Sequence, residues 1–169
     1  MKKYLILVVF SMILFVLTAC NTETSSGSEG KVEPEVDITK EEIVKQTRSA
    51  MFNLESTIIK KVRETDNLLY AHMDETVTEK PADSASVIGA NFESELNALE
   101  IPAELKAHEE TIKTALAKLG EAYNKEGAAI EAGETVFSES EKLVQAYIDA
   151  MKQVSEAIDM VPANYNLVF

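Results

Sequence analysis

Three kinds of residue in this chain have the chemistry to hold or act on a partner: a single thiol, two imidazoles and a large surplus of carboxylates. Cys20 is the only cysteine among 169 residues, placed where an apolar run gives way to Asn, Thr, Ser, Gly and Glu. His72 stands three residues before Glu75, and Glu104 four before His108, spacings that put each pair on one face of an α-helix. His72, Glu75 and His108 are therefore the candidate metal ligands, on the condition that their atoms come within about 2 to 2.2 Å of one ion. Carboxylates pair at Glu93 and Glu95, Glu109 and Glu110, and Glu139 and Glu141. Such pairs can do acid–base work, but among 29 acidic residues they are expected to be solvated helix faces. The sequence has no G-x-S-x-G, no Gly-rich phosphate loop, no zinc-type Cys pair and no calcium loop. Neither His has a Ser partner at a triad spacing. Catalysis is not expected, and neither is haem or any other cofactor.

The position of Cys20 has a more direct explanation. Met1-Lys2-Lys3 precedes an apolar run from Tyr4 to Val16 that only Ser11 interrupts. About thirteen residues suit a secretory signal and fall short of the roughly twenty that span a bilayer. The run closes on Leu17-Thr18-Ala19-Cys20, which resembles the lipobox of bacterial lipoproteins. The resemblance implies a diacylglyceryl group on the Cys20 sulfur and cleavage between Ala19 and Cys20. Two acyl chains anchor stably where one is marginal, each buried CH₂ contributing about 0.8 kcal/mol. The resemblance thus implies a protein held on the extracytoplasmic face of the cell membrane. With its only thiol used in this way the domain has no disulfide, and its fold must hold by packing.

Cleavage removes Lys2 and Lys3, leaving 14 basic against 29 acidic side chains and a net charge near −15. Charge of that sign excludes nucleic acid and anionic headgroups as main partners and favours solubility; it also admits cations or a basic protein. Residues 1–19 are thus read as the signal peptide and 20–38 as the lipidated cysteine and a linker. The linker is rich in Ser, Thr, Glu and Gly with Pro34, and holds too little apolar surface to fold. Some sixteen flexible residues span on the order of 20 to 25 Å, so the linker reads as a tether.

Residues 39–169 read as an all-α bundle. Thr39-Lys40-Glu41-Glu42 matches a capping box, and an apolar stripe then runs Ile43, Thr47, Ala50, Met51, Leu54, Ile58, Val62, Leu69, Met73. A first helix is expected over 40 to about 77, ended before Pro81, with Asp83 or Ser84 capping a second over 84–99. The second stripe is Val87, Ile88, Phe92, Leu96 and Leu99. Pro102 suits the first turn of a third helix carrying Leu105, Ile112, Ala115, Leu116, Leu119, Tyr123 and Ile130. Glu109–Lys113 and Glu121–Lys125 are its expected i,i+4 pairs, and Gly127 and Gly133 weaken its end. A fourth helix over about 135–160 carries Val136, Leu143, Tyr147, Ala150, Met151, Val154, Ile158 and Val161, and Pro162 stops it. Phe52, Tyr70, Phe92, Tyr123, Phe137 and Tyr147 are expected in the core, with Met51, Met73, Met151 and Met160 filling gaps. No segment alternates as a strand. Short connections give an up-down bundle of four helices, or of three with 84–99 as a buttress, and the C-terminal ANYNLVF folds over one end.

Two further resemblances bear on function. His72-Met73-Asp74-Glu75 resembles the H-x-x-E of helical iron-uptake proteins of the imelysin kind, with Tyr70 where that family's motif has Gly. Residues 101–134, IPAELKAHEETIKTALAKLGEAYNKEGAAIEAGE, look like small helical lipoproteins of Gram-positive bacteria, most of unknown function. The combined expectation is a lipid-anchored, non-catalytic bundle that binds another envelope protein. The alternative is a metal-handling or solute-binding lipoprotein using His72, Glu75 and His108.

Overall fold

The computed structural model describes residues 39–165 and 168–169; the apolar run, Ala19, Cys20 and the tether lie outside the described residues. Four α-helices are present: α1 (Lys40–Met73), α2 (Ala85–Asn97), α3 (Glu109–Glu131) and α4 (Ser138–Ala157). A 3₁₀ helix, Ala103–His108, leads into α3, and there is no strand among the described residues. The fold is the expected all-α up-down bundle, with a second helix of 13 residues beside a first of 34. Polar ties between helix ends mark its antiparallel order. Ser84 Oγ and the Ser86 N–H at the start of α2 donate to Glu131 at the end of α3, at 3.0 and 3.1 Å. Arg48 near the start of α1 reaches the end of α4, its Nη2 2.8 Å from Asp159 Oδ2 and its Nε donating to the Ile158 carbonyl at 3.2 Å.

The helix ends follow local chemistry. Thr39 Oγ1 accepts from the Glu42 N–H at 3.3 Å, the expected cap of α1. At the other end Asp74 leaves helical geometry, and its Oδ1 accepts from Thr76 N–H and Oγ1 at 2.8 and 2.7 Å. Lys80 Nζ then donates to the freed carbonyls of Ala71 and Asp74, at 2.8 and 2.7 Å. The Asx turn and the lysine cap stop α1 at Met73, short of the expected residue 77. Ser84 rather than Asp83 caps α2. After Pro102 the Leu105 N–H bonds to the Pro102 carbonyl at 2.9 Å, so the chain enters α3 through 3₁₀ turns instead of starting it at the proline. Of the expected pairs on α3, Lys113 Nζ lies 2.6 Å from Glu109, whereas Lys125 meets Glu139 on α4 and Glu121 takes Lys118.

Gly133 ends α3 cleanly: at φ +77° it lets the Glu134 N–H reach the Ala129 carbonyl at 2.9 Å. Gly127 is no weak point either. A Cβ there would stand 2.2 Å from the Ala85 carbonyl oxygen, and one at Gly89 would stand 2.4 Å from that of Tyr123. Both glycines are buried, and their missing side chains let the backbones of α2 and α3 touch. Glycine in a helix interior costs about 1 kcal/mol against Ala, and close backbone packing is what offsets it here.

Most of the expected stripe is buried, including Met51, Ile58, Leu69, Phe92, Leu96, Leu116, Tyr123, Tyr147 and Met151. Ile43, Met73, Val87, Val136 and Val161 are exposed instead. Ile43 belongs to the first turn of α1, beyond the level at which Arg48 meets the end of α4; Val136 and Val161 lie outside α4 altogether. Phe52 and Tyr70, expected in the core, are 63% and 61% exposed. Each follows a core residue, Met51 and Leu69, by one position and so lies about 100° round the helix from it. Phe137 is half-buried.

Candidate functional site

α3 packs closely against both α2 and α4, but the backbones of α1 and α4, which would close a four-helix ring, do not approach closely. Part of the gap between them is filled by the C-terminal tail. Tyr165 is buried; its ring meets Tyr147 of α4 edge-on at 5.7 Å, and its hydroxyl donates to Glu55 Oε1 of α1 at 2.6 Å. Phe169 sets a second edge against Tyr147 at 6.0 Å. The tail therefore lies in the seam between two helices rather than over an end of the bundle, because the seam offers apolar surface that no helix covers.

Beyond the tail the seam opens into a cleft of about 410 Å³. Asp66 of α1, Tyr123 and Glu126 of α3, and Ser140, Glu141 and Gln145 of α4 supply its polar lining. Phe137, Val144, Ile148, Val168 and Phe169 supply the apolar part. Tyr123 donates its hydroxyl to Asp66 Oδ1 at 2.6 Å, and Ser140 Oγ donates to Glu126 Oε2 at 3.2 Å. Burial pushes the Asp66 carboxyl up against the help of Tyr123. Burial also raises Glu126, which the charges of Asp66 and Glu141 raise further and the Ser140 hydroxyl draws back. The Tyr123 hydroxyl is held protonated, raised by burial first and then by Asp66. Glu55 is raised by burial as well, opposed by its bond to Tyr165. The cleft can hold positive charge against an apolar surface.

The histidines lie elsewhere. His72, half-buried in the last turn of α1, points its Nε2 at the Asp83 carbonyl, 2.9 Å away, and so spends that nitrogen as a donor. Glu75 is exposed and beyond the end of α1, so the helical spacing that would align it with His72 does not arise. Glu104 and His108 sit in 3₁₀ turns, where residues four apart diverge by about 120°. The 3₁₀ helix lies against Gln46, Ala50 and Asn53 of α1, which places His108 roughly 30 Å along α1 from His72 at 1.5 Å per residue. His72, Glu75 and His108 thus share no site. No group of three or more His, Cys, Asp or Glu among the described residues is arranged to hold a metal ion. The carboxylate pairs divide: Glu95, Glu110 and Glu139 are exposed, whereas Glu93 accepts from the Asn124 amide and Glu109 from Lys106 and Lys113. Those two lysines hold the Glu109 carboxyl down to about 2.

Sequence reasoning passed over Glu55, Asp66 and Glu126, and a signal for them existed. Glu55 follows Met51 by four and precedes Ile58 by three; Asp66 follows Val62 by four and precedes Leu69 by three; Glu126 follows Tyr123 by three and precedes Ile130 by four. Each is an acid at the spacing of the apolar stripe itself. No helix among the described residues is long and apolar enough to cross a membrane. No protein-family model matches this chain, and no curated protein or solved structure matches it either.

Proposed function

We propose that this protein is a lipid-anchored, extracytoplasmic and non-catalytic binding module, tethered through diacylglyceryl-Cys20, whose partner is another protein of the cell envelope. The observation that carries the reading is the outer face of α1. Phe52 and Tyr70 are eighteen residues apart, about five full turns, and both rings stand in solvent on the same face, with half-buried Ile59 between them. Exposed aromatic side chains in line are what a partner's pockets grip, since rings bring large contact area at little entropic cost. The acidic charge of the chain suits a basic partner and works through association rate more than through affinity.

Crosslinking in intact cells, followed by identification of what is captured with the lipidated protein, tests this. Phe52→Ala with Tyr70→Ala removes two exposed side chains, should shift stability by no more than about 0.5 kcal/mol each, and should lose the captured protein. Undiminished capture by that double variant would overturn the assignment of this face. The anchor has a separate test. Cys20→Ala should abolish incorporation of labelled lipid, and label still attached to that variant would refute lipidation at Cys20.

A further inference from the structure

The cleft between α1, α3 and α4 lies apart from that partner face in chemistry, being concave and mixed where the face is convex and aromatic. Its volume of about 410 Å³ falls within the range that holds small molecules. Ile148, Val168 and Phe169 give it apolar lining, while Asp66 and Glu126 are half-buried within it and Glu141 is exposed. None of the described residues lining it is a Lys, Arg or His.

Other carboxylates of the bundle show what this one lacks. Glu95 meets Lys61, Asp159 meets Arg48, and Glu109 meets two lysines. Within the cleft the donors to Asp66 and Glu126 are the neutral hydroxyls of Tyr123 and Ser140. An ionised carboxylate has about four acceptor positions, so each retains capacity after one hydroxyl. Burial beside an apolar wall raises the worth of any charge that pairs with it, because the local dielectric is lower than that of water. A hydrated metal ion would leave the apolar wall unused and would need an oxygen cage of six or more ligands.

We propose that the cleft binds a small organic cation, a protonated amine or guanidinium carried on an apolar body. The charged head sits against Asp66 and Glu126 with Glu141 closing over it, and the body lies on Ile148 and Phe169. The carboxylates set the sign of the ligand, and the apolar lining sets its other end.

The test uses the full chain in phosphatidylcholine nanodiscs, with empty nanodiscs as the blank, and isothermal titration with 4-phenylbutylamine. The matched alcohol, 4-phenylbutanol, has the body without the charge; spermidine has charge without the body. Saturable one-site binding of the amine is expected, with both comparison compounds at least tenfold weaker. Glu126→Gln with Glu141→Gln should weaken the amine at least tenfold while circular dichroism stays unchanged. Ile148→Trp, which fills the cleft and leaves its charge, should weaken it as well. The proposal is overturned if the alcohol binds as tightly as the amine, if spermidine does, if the glutamine pair leaves amine binding intact, or if no saturable binding occurs. Capture of an envelope protein depends on Phe52 and Tyr70 and not on Glu126 and Glu141, so either proposal can fail while the other stands.

Discussion

The bundle has two contrasting seams. Between α2 and α3 the backbones touch: Gly89 and Gly127 remove the side chains that would hold them apart, and the rings of Phe92 and Tyr123 pack at a tilt with centroids 4.4 Å apart. Between α1 and α4 the backbones do not approach closely, and the space is shared by the tail, by buried Glu55 and half-buried Asp66 and Glu126, and by an open cleft. The first seam is dry and has a single solution. The second is left open over part of its length. One fold thus contains a closed seam and an open one, and substitutions in the two should behave differently.

The largest difference is expected from added volume. Gly127→Val would drive a branched side chain into the Ala85 carbonyl, and forcing helices apart in a packed seam costs about 3 kcal/mol or more. Urea unfolding should show a midpoint lowered accordingly with its slope unchanged. A comparable enlargement in the cleft, Ile148→Trp, has open space ahead of it and should change the unfolding free energy by less than about 1 kcal/mol. Equal losses in the two variants would erase the distinction between the seams. Leu116→Asp, which puts an unpaired charge in the shared core, should prevent folding and mark the upper limit of the scale.

Next in size is the tail. Tyr165→Phe keeps the ring against Tyr147 but leaves the Glu55 carboxylate, itself only 4% exposed, without its donor. Stranding a buried acceptor costs about 1 to 3 kcal/mol. In the double variant with Glu55→Leu most of that loss should disappear, since removing both partners is nearly neutral where removing one is not. Additive losses would mean that the bond does not hold the tail in the seam.

How far each seam can be read from the sequence follows from the same contrast. The apolar periodicity of α1, α3 and α4 announces itself through Met51, Ile58, Leu116 and Tyr147, because burial against a neighbour requires nothing more than spacing. Gly127 misleads, since propensity counts it as a helix breaker and only the position of Ala85 on another helix shows why it is needed. Phe52 and Tyr70 mislead in the opposite direction: each stands one residue past a core position, and aromatic character alone does not say which side of the stripe is covered. The cleft is harder still. Asp66 and Glu126 look like two of many acids until the fold brings them together, and the tail that walls the cleft carries no helical period at all. Local chemistry was also decisive for the histidines, whose spacing presumed helices that Asp74 and the 3₁₀ turns interrupt.

Acidity should distinguish the seams without mutation. Burial raises Glu55, Asp66 and Glu126, all on the open side, so the folded domain holds their protons more firmly than the unfolded chain does. The stabilisation from a raised acid is fully present below its ordinary value, 4.5 for Glu and 3.8 for Asp, and is lost as pH rises through the folded value. The melting temperature should therefore climb as pH is lowered from 7 towards about 4.5. Below that, Glu109 acts in the other sense: held down to about 2 by its hydrogen bonds from Lys106 and Lys113, it contributes above 4.5 and is lost as it protonates. In the variant carrying Glu55→Gln, Asp66→Asn and Glu126→Gln the climb should flatten while the acid-side fall remains. A climb of the same size in that variant would place its origin in the net charge of the whole chain instead of the open seam.

The smallest expected effect comes from a residue that neither seam has fully claimed. Ser155 is buried on α4, and its hydroxyl finds no hydrogen-bond partner among the described residues. It stands seven residues, about two turns, beyond Ile148, on the side of α4 that faces the open seam. Ser155→Ala removes an unpaired polar group and improves helix propensity, so stability should rise by about 1 kcal/mol, roughly 3 °C for a domain of this size. If the hydroxyl instead bonds a water admitted through the seam, the same substitution should destabilise, because a bridged hydroxyl and its water are lost together. The sign of that one change in melting temperature therefore reports whether solvent follows the open seam past the tail as far as Ser155.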